Sequence, residues 1–244
     1  MTRAILLCIC LCACGCAVEH EDLPRFNWTD DQTALRILSQ RAKSVRTVSA
    51  AALLTLTRPD GQSVRLDAAL AMSLPDKSVR LQAWKFNQKV FDLTFTSNGL
   101  WVESGTSDAA RKRSQPAKLS AASLARALSI IGGELFDGPG VQVIDRGGGQ
   151  FLVRKPLDEG QTVLAYIDRS TLVVRQYRLI DSSGITRFKL MIQHYEDMHG
   201  VIWPTKLTAQ SESGRIDLEL RDVELNGQIP PNAFVPPPGA EKAS

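Results

Sequence analysis

The sequence predicts an α+β fold that is mainly antiparallel β: a curled, incomplete β-barrel (half-barrel) with a helical lid over an apolar concave face. Three observations carry that prediction. Apolar and polar residues alternate with a period of two along most of the 244-residue chain, the pattern of strands with one buried face. Short turns rich in Gly, Asp, Asn and Ser separate these stretches, so consecutive strands pair antiparallel. Only two segments carry helical spacing, and a meander of about ten strands must curl to hide its edges while so few helices cover its inner face.

The chain opens on an export signal. Residues 6–20, "LLCICLCACGCAVEH", hold all five cysteines; two apart in an apolar run, they form neither a disulfide framework nor a zinc motif. Arg3 supplies a positive n-region, and Ala4 to Leu11 form an h-region too short to span a bilayer. The run closes on Leu11-Cys12-Ala13-Cys14 or Ala13-Cys14-Gly15-Cys16, each resembling a bacterial lipobox whose cysteine is acylated. Cys16 is preferred because the polar Glu19-His20-Glu21-Asp22 stretch follows; Cys14 is the alternative, and an ordinary signal peptide is the other reading. The expected organisation is a lipoprotein signal peptide over 1–15, a lipid anchor and short linker over 16–28, one half-barrel domain over 29–238 and a disordered tail over 239–244. The expected location is the cell envelope. Gly15 and Ala17, which follow the two candidate cysteines, are not the Asp of inner-membrane retention, which favours the outer membrane facing the periplasm.

Thr29 to Val45, "TDDQTALRILSQRAKSV", starts with a capping hydroxyl and early acids, sets Leu35, Leu38, Ala42 and Val45 at helical spacing and ends with basic residues. "RPDGQS" at 58–63 is a hairpin turn. Val64, Leu66, Ala68, Leu70 and Met72 then form the buried row of a strand. Alternation continues through Val79 to Phe86, Lys89 to Thr96 and Leu100 to Glu103. Ser120 to Ile131 reads as a second helix with Leu124, Leu128 and Ile131 on one stripe and Gly132-Gly133 as its stop. Strands follow at Val141 to Asp145, Gln150 to Lys155, Thr162 to Asp168, Leu172 to Ile180, Ile185 to Tyr195, Val201 to Ala209 and Arg215 to Leu225, joined by turns such as "RGGGQ" and "DMHG". The inward rows enclose an apolar cavity suited to acyl chains unless the helices fill it.

A formal net charge of +3 at pH 7 is too small to point to nucleic acid. No G-x-S-x-G, H-E-x-x-H or phosphate loop occurs, so no catalytic residue, metal or cofactor is expected and the chain is not read as an enzyme. His194, Glu196, Asp197 and His199 cluster in "QHYEDMHG", but alternation splits them between a strand face and a turn, which reads as a solvated strand end. Arg111-Lys112-Arg113 with Lys118 reads as a solvated loop.

"LPDKSVRLQAW" (74–84) with "FDLTFTSNGLWV" (91–102), and "HGVIWPTKL" (199–207) with "LRDVELNGQIPPNAFVPP" (220–237), resemble the bacterial lipoprotein-carrier superfamily, the LolA/LolB-like lipoprotein-sorting proteins. The matching positions are Pro75 and Arg80, then Asn98, Gly99 and Trp101, then Trp203 and Pro204, and finally Asn226, Ile229, Pro230, Phe234 and Pro236. The resemblance implies an incomplete barrel with a lid, and lipid or lipoprotein acyl chains as ligands. The cavity is then expected to be lined by Leu66, Leu70, Leu81, Trp84, Phe91, Phe95, Trp101, Leu124, Leu128, Ile131 and Trp203, with Arg80 touching the lid or a ligand headgroup, or facing water. The acceptor branch of that superfamily carries an exposed apolar residue on an early loop, whereas "FNQKV" at 86–90 presents Asn87, Gln88 and Lys89. The expected role is lipoprotein sorting or transport by an anchored lipid-binding protein. The alternative is an anchored regulatory or scaffold module that binds a partner protein through the same sheet, as in the envelope-stress sensor branch.

Overall fold

The computed structural model describes residues 21–104, 131, 134–157 and 160–243. The predicted lipidation sites Cys16 and Cys14, Leu124 and Leu128 of the second helix, and the basic run 111–113 with Lys118 lie outside the described residues.

Helix α1 (Asp31–Ser44) forms where the apolar stripe was read, but its cap is Asp30 rather than Thr29. The Asp30 carboxylate accepts from the Thr33 backbone N at 2.8 Å and from the Thr33 hydroxyl at 2.8 Å, satisfying an otherwise orphaned helical N–H. Ala34, Leu38 and Ser39 are its buried residues.

The strands are β1 (Thr47–Thr57), β2 (Ser63–Ser73), β3 (Ser78–Lys85), β4 (Gln88–Thr96), β5 (Gly99–Ser104), β6 (Gln142–Asp145), β7 (Gln150–Pro156), β8 (Thr162–Asp168), β9 (Val173–Ile180), β10 (Thr186–Met198), β11 (Val201–Ser211), β12 (Gly214–Leu225) and β13 (Glu241–Ala243). They make one antiparallel sheet in the order β13-β5-β4-β3-β2-β1-β12-β11-β10-β9-β8-β7-β6. Two meanders, β1–β5 and β6–β12, are therefore fused along the β1–β12 seam. The sheet is curled and open, ending at β13 and β6, an α+β half-barrel of the predicted class.

Two strands were not assigned from the sequence. β1 has a row of small residues, Ala50, Ala51 and Ala52, that weakens its alternation; its true partner row, Val48, Ala50, Ala52, Leu54 and Leu56, is buried and faces Met72, Leu70, Ala68, Leu66 and Val64 of β2. β13 falls in the stretch read as a disordered tail: Glu241, Lys242 and Ala243 pair with Val102, Trp101 and Leu100.

Register defines two faces. The inner face continues from the β1 and β2 rows through Val79, Leu81 and Ala83 to Leu93 and Val102 on one side, and through Ile216, Leu218 and Leu207 to Leu190, Tyr177, Ala165 and Val153 on the other. These residues form one apolar core. Asn226, in a left-handed conformation (φ 61°), joins α1 to the sheet. Its Nδ2 donates to the Ser44 carbonyl at 3.0 Å, its Oδ1 accepts from Arg46 N at 2.7 Å, and its own N donates to the Thr47 carbonyl at 2.9 Å. A side chain distant in sequence thus satisfies a carbonyl at the end of the helix.

Residues 21–28, read as linker, pack on the same structure. Leu23 is buried, the Glu21 carboxylate accepts from Tyr195 N at 2.8 Å and pairs with Arg175 at 2.5 Å, and Phe26 N donates to the Ser170 carbonyl at 2.6 Å. Trp28 meets Phe151 edge-on at 4.8 Å, with the Arg169 guanidinium 4.4 Å from its ring.

Candidate ligand-binding site

Where α1 crosses β9, β10 and β11, side chains of both layers leave a cavity of about 70 Å³. Leu38, Ala42, Leu172, Val173, Val174, Ile192, Ile202 and Pro204 give it apolar walls, Ile131 closes one side, and Arg41, Tyr177, Tyr195 and Trp203 bring the polar atoms. Helical spacing puts Arg41 there, three residues after Leu38 and on the same face.

The polar groups are unequal. Tyr195 donates its hydroxyl to the Val174 carbonyl at 2.6 Å, and burial raises the phenols of Tyr195 and Tyr177 well above the ordinary tyrosine range, so both stay neutral donors. Arg41 Nη1 donates to the Thr171 and Leu172 carbonyls, each at 2.9 Å, and burial lowers its pKa. Trp203 is 4% exposed, and its Nε1–H has no hydrogen-bond partner among the described residues.

Of the residues expected around a cavity, Ile131 and Trp203 line this one. Leu66, Leu70, Leu81 and Phe91 lie on the inner face but in the other half of the sheet, fully packed in the core, with Phe95 partly buried beside them. The structure does not bring these two groups together at one void. Trp84 and Trp101 sit on the opposite, outer face: Trp84 pairs with Asp67, and Trp101 with Thr94. A bulge between Ala83 and Trp84 interrupts the β3–β4 register, and strict alternation places neighbours of Leu81 and Ala83 on the other side.

Arg80 is likewise an outer-face residue, partly exposed and away from the cavity, with its guanidinium held by protein groups. Its Nε and Nη2 grip both oxygens of Asp92 at 2.9 and 2.8 Å, Gln82 Nε2 donates to Asp92 at 2.7 Å, and Arg80 Nη1 donates to the Ala233 carbonyl at 3.0 Å. Hydrogen bonding to Asp92 raises the Arg80 pKa. The C-terminal segment is held over the outer face by this clamp and by β13, where Lys242 sits 5.6 Å from the Trp101 ring.

The early loop corrects another expectation. β3 and β4 are joined by Phe86 and Asn87, both with positive φ (50° and 60°), the primed-turn geometry usually served by Asn-Gly. Phe86 is 84% exposed, with the Lys85 ammonium 5.0 Å from its ring. The loop therefore presents an aromatic residue. Register predicts otherwise, because Phe86 was read as the last residue of its strand. At the other candidate site, His194 Nδ1 lies 3.6 Å from Glu21 and Nε2 lies 3.9 Å from Glu196; among the described residues no group of three His, Cys, Asp or Glu side chains is placed to hold a metal.

No family model matches the chain, and no curated protein matches it in sequence. Solved structures do match in fold. A DUF1329 family protein from Desulfovibrio piger superposes with TM-score 0.58 at 12% identity, over 84% of this chain and 98% of that one. A domain assigned to outer membrane lipoprotein sorting from Vibrio parahaemolyticus gives TM-score 0.58 at 10% identity, over 84% and 95%. A LolA superfamily protein from Nitrosomonas europaea gives 0.56 at 10% identity, over 82% and 96%. The chain has the LolA-like half-barrel fold.

Proposed function

We propose that this protein is a lipid-anchored cell-envelope protein, held through Cys16 (or Cys14) at the outer membrane facing the periplasm, that binds the acyl chain of a lipid or lipoprotein on the inner face of its half-barrel. The observation that carries the reading is the apolar cavity between α1 and β9–β11, in a fold shared with a domain assigned to lipoprotein sorting. Ligand pockets are commonly about 300–1,000 Å³. A whole chain therefore enters by parting α1 from the strands beneath it, which are joined to it by apolar contact and a few polar ties.

Phe86 supports a membrane-facing role. An aromatic residue in a turn that demands positive φ carries a conformational cost, and here its side chain contributes nothing to the core. An exposed ring beside Lys85 suits insertion at an anionic bilayer surface. The reading is one of binding, with no chemical step.

Mass spectrometry of the mature protein, gently extracted from its native membrane, tests the proposal. An acylated Cys16 or Cys14 and co-purified acyl species are expected. An unmodified N-terminus refutes the anchor, and an anchored protein that carries no acyl species and takes up none refutes the ligand class.

A further inference from the structure

We infer that the ligand bears an oxyanion, a carboxylate or phosphate at the end of its acyl chain, and that Arg41 and Trp203 receive it; the inference rests on the acyl-binding reading above. Six arginines among the described residues are paired with carboxylates: Arg80 with Asp92, Arg169 with Asp145, Arg175 with Glu21, Arg187 with Asp181, Arg215 with Asp217 and Arg221 with Glu219. Arg41 is different. Although half-buried, it donates through Nη1 to the carbonyls of Thr171 and Leu172, and no carboxylate among the described residues pairs with it.

Trp203 lines the same cavity, and its buried Nε1–H has no acceptor among the described residues. Among the described residues the lining thus carries a guanidinium with carbonyl partners, an indole donor without one, and no carboxylate. Such a site gains most from a negatively charged acceptor, because charge-assisted hydrogen bonds are the stronger kind. Size agrees. One water needs roughly 10–15 Å³ of such space, so a cavity of about 70 Å³ admits a carboxylate or phosphate with the first methylenes behind it. Leu38, Ile192 and Ile202 then meet the start of the chain.

The test compares dodecanoate, dodecyl phosphate and dodecanol at submicellar concentration, by calorimetric titration into the full chain after bound lipid has been removed. Both anions are expected to bind about tenfold or more tightly than the alcohol, and the tighter of the two identifies the carboxylate or phosphate source. Arg41→Gln is expected to abolish that preference, so that anions and dodecanol bind the variant with similar affinity. Trp203→Phe removes the donor along with part of the ring, and is expected to weaken both anions by a several-fold larger factor than the alcohol; it also serves if Arg41→Gln fails to fold. Equal affinity for alcohol and anions, or an anion preference that survives both substitutions, overturns the oxyanion inference alone. Absence of binding by all three probes overturns it together with the acyl-binding reading.

Discussion

Truncating Arg80 measures what the outer-face clamp contributes. In Arg80→Ala the Asp92 carboxylate, 1% exposed, loses the donors at 2.9 and 2.8 Å and keeps only Gln82 at 2.7 Å. Removing one partner of a buried ion pair costs about 3–5 kcal/mol. The Arg80 side chain is 21% exposed, so its removal opens a path for water, and the lower end, about 3 kcal/mol, applies. The lost bond to the Ala233 carbonyl adds about 1 kcal/mol. A loss of about 4 kcal/mol lowers the melting temperature of a chain this size by roughly 8–16 °C, read by circular dichroism. Limited proteolysis should also cut earlier within 232–243. Arg80→Met combined with Asp92→Leu removes both charges and is expected to stay within about 2 kcal/mol of the parent. A single variant within 1 kcal/mol of the parent, or a double variant as unstable as the single one, refutes the buried-pair account.

Three further outcomes follow from other contacts. Asn226→Ala loses the ties to Ser44 O and Arg46 N and is expected to destabilise by about 1–3 kcal/mol in denaturant titration; Asn226→Gly relieves the φ of 61° but not the lost bonds, and recovers only part. Asp137 accepts from Ser39 at 2.9 Å and pairs with Lys43, and hydrogen bonds from Lys43 and then Ser39 hold its carboxyl below the ordinary value of 3.8. Because the folded value is the lower, this stabilisation is present above about pH 4 and lost as pH falls through the folded value, so the melting-temperature gap between parent and Asp137→Asn should close below pH 4. Phe86→Ser is expected to weaken association of the chain with anionic vesicles in flotation, with stability changed by no more than about 0.5 kcal/mol; unchanged flotation refutes a membrane role for the loop.

Much of the fold was legible because the alternation is local. Strands β2 to β12 were read within a few residues, since each buried row must repeat every second position and each turn announces itself by Gly, Asp or Asn. β1 escaped because Ala50, Ala51 and Ala52 carry little contrast between faces, and β13 escaped because its pairing with β5 is formed by residues distant in sequence. The candidate site was less legible. Ile131 and Trp203 were found by apolar character, whereas Arg41 lay in plain view three residues after Leu38 but read as a helix-end cation, since charge at a helix C-terminus is ordinarily favourable for that reason alone.

Period and turn chemistry therefore determined that this chain is a curled antiparallel sheet with few helices, because both are properties of short segments. Tertiary structure alone decided which meander meets which along the β1–β12 seam, that Arg80 faces Asp92 on the outer surface, and that Arg41 and Trp203 share one cavity. The seam and the cavity join partners more than a hundred residues apart, and the Arg80–Asp92 pair, twelve residues apart, needs the β3–β4 register to be set; no single-strand pattern encodes either.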